Sequence, residues 1–255
     1  MEGFPQAVGG IPVVFFETIG STNAEALARA HAGDQGPIWF VAERQSAGRG
    51  RRGRPWVSEP GNLHASLLLC DPAPPAASAG ICFVAALALH DAVIEAAHDL
   101  APARLKLKWP NDLLLDGDKV AGILVEGTSR PPGGLALAVG FGVNCKHSPS
   151  LTDYPSSDFV RAGFFSVSPI HLLTTLDSSM RHRLAEWDRG AGFAAIRAAW
   201  LARASGLGGA IEVKLADRTL AGTFEAIDDA GGLVLRRSDG KRETITAGDI
   251  FPITG

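Results

Sequence analysis

The sequence predicts an α+β chain that ends in a small all-β unit, and three observations carry that reading. Through about residue 205, short apolar runs rich in β-branched and aromatic residues alternate with stretches of helical periodicity. A glycine-rich segment, Gly206-Leu207-Gly208-Gly209, follows as the best linker. Beyond it, four short runs (Ala210–Lys214, Thr219–Ile227, Leu233–Arg237 and Glu243–Ile245) are separated by turns at 229–232 and 239–240. That spacing suggests a small β-barrel of SH3 type. With 255 residues, the chain exceeds one average domain, and the expected division is residues 1–206 and 207–255.

Taken in order, Ile11–Ile19 reads as a strand. Thr22 and Glu25 have capping-box spacing, so Thr22 is expected to cap a helix to about Ala32, stopped by Gly33. The start of that helix also offers free N–H groups and hydroxyls to a polar ligand, and the two readings are compatible. Strands are expected over 36–43 and 62–70, then a helix over 79–98. Leu105–Trp109 reads as a strand ended by Pro110; Leu113–Leu115 and Val120–Glu126 form a hairpin about Asp116-Gly117. Leu135–Val139 runs into Gly140-Phe141-Gly142-Val143-Asn144, where the paired glycines indicate tight packing or a bulge. A Pro/Ser-rich segment over 147–169 is expected to be irregular, followed by helices over 169–189 and 192–205.

The most distinctive stretch is Glu43–Trp56, ERQSAGRGRRGRPW, in which five arginines sit among Gly48, Gly50 and Gly53. Glycines disfavour a helix and let backbone N–H groups approach a ligand, while guanidinium forks suit phosphate or carboxylate. Between two strands, this is either a flap for a polyanionic ligand or a Gly/Arg-type nucleic-acid patch. Lys108–Asp112 (KWPND), Lys119 and Gly140–Asn144 add cations, a carboxylate and amides at neighbouring sheet edges. Lys108 and Asp112 also read as an ordinary surface pair.

Composition narrows the classes. A formal net charge of -3 makes the arginine cluster local and argues against a general polyanion binder. Three distant cysteines, Cys70, Cys82 and Cys145, without CxxC spacing, fit a reducing cytosol and neither a disulfide framework nor a zinc site. The N-terminus lacks signal-peptide features, and no apolar run approaches the length of a membrane span, so a cytoplasmic protein is expected. No HExxH or CxxC motif is present, so hydrolase and metalloenzyme readings are weak, and without a Walker A motif any nucleotide would be held without the usual phosphate loop; the clustered cations suit phosphoryl or adenylyl transfer by charge stabilisation.

In order and spacing, ERQSAGRGRRGRPW, KWPNDLLL, KVAGILVE and GFGVN resemble the biotin protein ligase family, and Ser21-Thr22-Asn23 fits as well. The resemblance implies a mixed β-sheet flanked by helices, as in class II aminoacyl-tRNA synthetases and lipoate ligases, with a C-terminal SH3-like β-barrel. It implies ATP, Mg²⁺ and biotin as reactants, biotinyl-5′-AMP as intermediate, and a lysine of a biotin carboxyl carrier protein, of acetyl-CoA carboxylase or a related enzyme, as acceptor. By the same resemblance, biotin would be held by Ser21, Thr22, Asn23, Gln45, Gly48, Arg49, Gly50, Arg51, Lys119, Gly122 and Ile123. The adenylate would meet Arg51, Arg52, Arg54, Trp56, Asn111, Lys119 and Asn144. Lys119, Arg51 and Asp112 would carry the catalysis, the last by orienting or deprotonating the acceptor amine, and no protein metal ligands are expected.

Some relatives carry a DNA-binding domain before this core. Because Ser21 lies so near the start, no repressor activity or DNA partner is expected, nor is a membrane partner; a homodimer is compatible with the resemblance. His64 stands where the family pattern leads one to expect an aromatic residue. Lipoate or octanoate ligation on the same fold and a nucleic-acid-binding module are the competing readings.

Overall fold

The computed structural model describes residues 3–130, 133–149 and 154–253. Eight strands form one sheet: β1 (Ala7–Val8), β2 (Ile11–Ile19), β3 (Ile38–Gln45), β4 (Leu63–Cys70), β5 (Leu105–Lys108), β6 (Asp112–Leu115), β7 (Asp118–Ser129) and β8 (Leu135–Val143). Their order is β1-β2-β3-β4-β8-β7-β6-β5. Only β2 and β3 pair in parallel, across a crossover made by helix α1 (Thr22–His31); the other neighbours are antiparallel. The sheet is therefore mixed, as expected.

Period-2 patterning divides the sheet between two cores. Trp39 and Val41, alternate residues of β4 from Leu63, and Leu137, Val139, Phe141 and Val143 face helices α2 (Ile81–Ala96) and α3 (Pro169–Trp187). Phe40, Leu68, Ala136 and Ala138 face the other way, against Ala26 and Ala30 of α1. Helix α4 (Phe193–Leu201) adds to the larger core through Ile196 and Trp200. The stretch Pro75–Ala96, α2 with its 3₁₀ lead-in, is long and apolar enough to cross a membrane by length and composition, which corrects the sequence expectation. Here it serves as the core helix, with 67% of its most apolar window buried.

Local chemistry explains the departures at element ends. Ser21, not Thr22, is the N-cap of α1: its hydroxyl accepts from Ala24 N–H, which releases Thr22 for other partners. Asp116 (φ 53°) and Gly117 (φ 92°) make the left-handed pair of a tight hairpin turn. Strand β8 continues straight through Gly140–Val143 in register with β4 and β7, so the glycines mark no bulge. In the irregular segment over 147–169, positions 150–153 lie outside the described residues.

After 206–209 the chain forms β9 (Ala210–Lys214), β10 (Thr219–Ile227), β11 (Leu233–Arg236), β12 (Arg242–Ile245) and β13 (Asp249–Pro252). They pair in the order β12-β11-β10-β9-β13. The expected SH3-like unit is present as a five-stranded antiparallel sheet, whose two ends are not joined among the described residues. The apolar face of this sheet, including Val213, Phe224 and Leu235, is continuous with the larger core. Across the junction, Trp109 Nε1–H donates to the Gly231 carbonyl at 3.2 Å and Arg197 pairs with Asp229.

One buried polar contact pins α3 to the sheet. Asp177, 1% exposed, accepts from Trp39 Nε1–H at 2.9 Å and from Arg181 at 3.0 Å. Asp177→Ala leaves the buried indole N–H unpaired, so chemical denaturation should show a loss of about 2 kcal/mol.

Candidate active site

Along the α1 side of β8, side chains shrink in steps: Ala136, Ala138, Gly140, Gly142. Gly142 is the register partner of Gly122 on β7 and of His64 on β4. A Cβ on Gly140 would overlap the Asn23 amide, and one on Gly142 would overlap the Trp56 indole. Absent side chains thus open a cavity of about 380 Å³ between the sheet, the start of α1 and the arginine loop.

The floor is a chain of hydrogen bonds. Thr22 donates its backbone N–H to Gln45 Oε1 at 2.9 Å, and Gln45 Nε2 donates to Ser58 at 3.1 Å. Ser66 lies 2.7 Å from the Thr22 hydroxyl and 2.6 Å from Asn23 Oδ1. Asn23 donates to the Leu124 carbonyl and to Glu126, and Glu126 also accepts from Arg49 at 3.1 Å. Ser21, Thr22 and Asn23 are all nearly buried, at 6%, 4% and 4% exposure.

The arginine loop is a short hairpin. Trp56 N–H bonds to the Gly48 carbonyl at 2.9 Å and Gly50 N–H to the Arg54 carbonyl at 2.7 Å, with Arg52 left-handed (φ 56°) at the tip. Gly48 is needed for close approach, since a Cβ there would lie 2.8 Å from both Ser58 Oγ and the Trp56 carbonyl. Arg51 donates to Asn111 Oδ1 at 3.3 Å and to the Gly248 carbonyl at 3.2 Å. Asp249, from the C-terminal sheet, pairs with Arg54 and lies 3.8 Å from both Arg51 and Arg52.

Lys119 lies 2.6 Å from Asp112 and 5.6 Å from the Trp56 ring centre. Backbone bonds from Lys119 to Pro155 and from Ser157 to Lys119 fix this corner. Asn111 clasps Ile123 by two bonds, and Asn144 donates its side chain to the Ser157 carbonyl. Lys108 is 7% exposed and its ammonium sits 3.4 Å from the Tyr154 ring centre, so it is no surface residue. Burial brings its pKa down to about 8.

Of the residues expected at the site, Ser21, Thr22, Asn23, Gln45, Arg49, Gly50, Arg51, Arg54, Trp56, Asn111, Asp112, Lys119, Gly122, Ile123 and Asn144 line this one cavity. Gly48 sits behind the wall against Ser58, and Arg52 points to Asp249 outside the lining. Gly140 and Gly142, read from sequence only as part of the Gly140–Asn144 stretch at a neighbouring sheet edge, line it too, as do Tyr154 and Asp249, which sequence reasoning missed. The glycines stand in the GFGVN motif, and Tyr154 is the chain's one tyrosine. Asp249 lies 195 residues from Arg54, and no local pattern joins them. Among the described residues, no three His, Cys, Asp or Glu side chains converge on a metal position.

This combination of a mixed sheet with a helix-capped polar floor, a cationic hairpin and an appended β-sheet matches known proteins. Residues 15–144 match the model of the biotin/lipoate A/B protein ligase family, and residues 206–251 that of the biotin protein ligase C-terminal domain. The chain belongs to this family. It is 44% identical to the biotin–[acetyl-CoA-carboxylase] ligase of Paracoccus denitrificans over 91% of this chain and 96% of that protein. The structure of biotin protein ligase from Aquifex aeolicus in complex with biotin and ATP shares the fold at a TM-score of 0.77, with 21% identity over 94% of this chain and 97% of that one. The Leishmania major enzyme in complex with biotinyl-5-AMP superposes at a TM-score of 0.65, with 25% identity over 92% and 98% of the two chains.

His64 fills the position expected to be aromatic and is 1% exposed. Its Nε2–H donates to the Glu59 carbonyl at 3.3 Å, while Nδ1 has no partner among the described residues. Burial lowers its pKa from 6.5 to about 4. The unfolded chain therefore binds this proton first, and stability is lost as pH falls from 6.5 towards 4, by about 3 kcal/mol at most. In His64→Phe, melting temperature should fall less steeply across that window. Asp249→Ala removes the carboxylate that gathers the loop arginines, and limited trypsin digestion should cut after Arg51 and Arg52 faster than in the parent chain.

Proposed function

We propose that this protein is a biotin protein ligase that forms biotinyl-5′-AMP from biotin and ATP and then transfers biotin to a lysine of a biotin carboxyl carrier protein. Family members catalyse biotin activation and transfer to the carrier protein of acetyl-CoA carboxylase. The observation that carries the reading is one cavity lined both by a hydrogen-bonding floor and by Arg51, Arg54 and Lys119. A neutral bicyclic head needs the first lining, and a phosphate needs the second.

On this reading, Thr22 and Gln45 receive the ureido ring, and Gly122 and Ile123 let the backbone lie against the ligand. Trp56 and Asn144 border the adenine, with Arg51 and Arg54 at the phosphates. Mg²⁺ would come as part of the ATP substrate and would supply further charge neutralisation beside Arg51, Arg54 and Lys119. A biotin carboxylate oxygen attacks the α-phosphorus, the bond to pyrophosphate breaks, and Lys119 stabilises the charge that develops. In the second step the carrier's amine attacks the acyl carbonyl and AMP leaves. On the same reading Asp112, which pairs with Lys119 at 2.6 Å, would align that amine or take its proton. A closed arginine hairpin would keep water from the mixed anhydride until the acceptor arrives.

The reading divides the chain into a ligase part over 1–206 and a small β-unit over 207–255, supported by the start of the second family match at residue 206. The three free thiols agree with a reducing cytosol.

The direct test is mass spectrometry of products formed from protein, ATP, Mg²⁺ and biotin, with lipoate in a parallel tube. Biotinyl-AMP in the biotin tube alone is expected, and no adenylate in either tube would reject the proposal. Lys119→Ala should slow pyrophosphate release by about 10²–10³-fold, the scale of one preorganised charge contact. Arg51→Gly removes the hairpin's bonds to Asn111 and Gly248, so biotinyl-AMP should escape faster in a filter-binding chase.

A further inference from the structure

Three arginines of the hairpin converge on one carboxylate of the C-terminal sheet. Asp249 pairs with Arg54 and lies 3.8 Å from both Arg51 and Arg52. Its side chain is 15% exposed and lines the cavity together with Arg51 and Arg54. The carboxylate stands on a fixed element. Strand β13 pairs with β9 through all four of its residues, Ile250 is 2% exposed, and Phe251 stacks on Tyr154 at 4.7 Å. The arginines, by contrast, stand on a short hairpin closed by the Gly50–Arg54 and Trp56–Gly48 backbone bonds.

Asp249 can act on this hairpin through shape or through charge, and Arg51 separates the two. Its guanidinium donates to two neutral acceptors, Asn111 Oδ1 at 3.3 Å and the Gly248 carbonyl at 3.2 Å. At 3.8 Å, Asp249 is beyond hydrogen-bond range of Arg51. The place of Arg51 therefore does not depend on the Asp249 carboxylate. What Asp249 adds there is a negative charge inside a partly desolvated cavity, where like-charge juxtaposition costs affinity. At Arg54 it also occupies donors of the fork that a phosphate would use.

We propose that Asp249 is an internal competitor for the phosphate groups of the nucleotide. The C-terminal sheet supplies the counter-ion that a ligand phosphate displaces at Arg54 and outweighs at Arg51, and that recaptures the arginines when pyrophosphate leaves. This rests on the reading of the cavity as the ATP site. The sign separates a competitor from a brace: removing a competitor tightens polyanion binding, whereas removing a brace weakens it.

Asp249→Asn keeps the size of the side chain and one acceptor oxygen for Arg54, and removes only the charge. Asp249→Ser removes the same charge with a different side chain, a second route should the first variant not fold. Asp229→Asn is the control. It takes one charge from the same sheet at a residue that is 96% exposed, pairs with Arg197 and does not line the cavity.

Calorimetric titration with inorganic pyrophosphate at about 0.05 M and about 0.5 M salt reads the competition. At low salt Asp249→Asn and Asp249→Ser should each bind pyrophosphate about fivefold or more tightly than the parent protein, and at high salt the gain should shrink below about twofold. Asp229→Asn should stay within about twofold of the parent throughout. In the adenylation assay, Asp249→Asn should lower the ATP KM and be inhibited by less pyrophosphate, changes that loss of structure would not give. Unchanged or weaker pyrophosphate binding in the Asp249 variants overturns the inference, and so does an equal gain in Asp229→Asn, which would be an effect of net charge. If the parent protein forms biotinyl-AMP and neither Asp249 variant tightens, the inference falls alone. No biotinyl-AMP from the parent protein rejects the nucleotide reading and this inference with it.

Discussion

Missing side chains decide where this sheet can hold a ligand. Gly140 and Gly142 continue, on the same face of β8, the positions that Ala136 and Ala138 fill beneath α1. Gly122 extends the gap to β7. Any Cβ on the β8 pair collides with Asn23 or Trp56, so the backbone itself is the wall. The remaining architecture is placed around that hollow. Ser21 caps α1 so that its first turn looks in, and the hairpin after β3 folds Trp56 across the glycines.

The charges around the hollow form a second pattern. Each cation that lines it is matched by a carboxylate of the same chain: Lys119 by Asp112, Arg49 by Glu126, and Arg51 and Arg54 by Asp249. A cationic pocket held by its own counter-ions avoids the self-repulsion of bare like charges. A polyanionic ligand exchanges one set of carboxylates for its own oxygens, and the partial exposure of these pairs keeps each exchange small in energy. Asp249 gives the C-terminal sheet a direct part in this balance. Tyr154 adds another, stacking on Phe251 at 4.7 Å beneath the Lys108 ammonium.

Much of this was legible in the residues. Glycine and arginine in GRGRRGR limit what the loop can be, Asp116-Gly117 fixes a hairpin, and KWPND with Lys119 put charge on adjoining strands. The cap assigned to Thr22 belongs to Ser21, because both residues suit a cap and only geometry shows that Gln45 claims Thr22. Lys108 read as a surface charge because its cover, Tyr154 and Phe251, comes from distant parts of the chain. The C-terminal runs are strands as expected, but alternation cannot show whether the ends of a ladder meet, and among the described residues they do not.

The sequence by itself determined most of the strands and helices, the Asp116-Gly117 hairpin and the identity of the cationic loop. Each depends on propensity, periodicity or turn chemistry acting over a few neighbouring residues. Tertiary structure alone decided which carboxylate each cation meets, that Gln45 claims the Thr22 backbone N–H, and that α2 is a buried core helix. Those outcomes depend on distances between residues far apart in the chain, such as Asn23 with Glu126 and Arg54 with Asp249, and only the folded chain brings them within hydrogen-bond range.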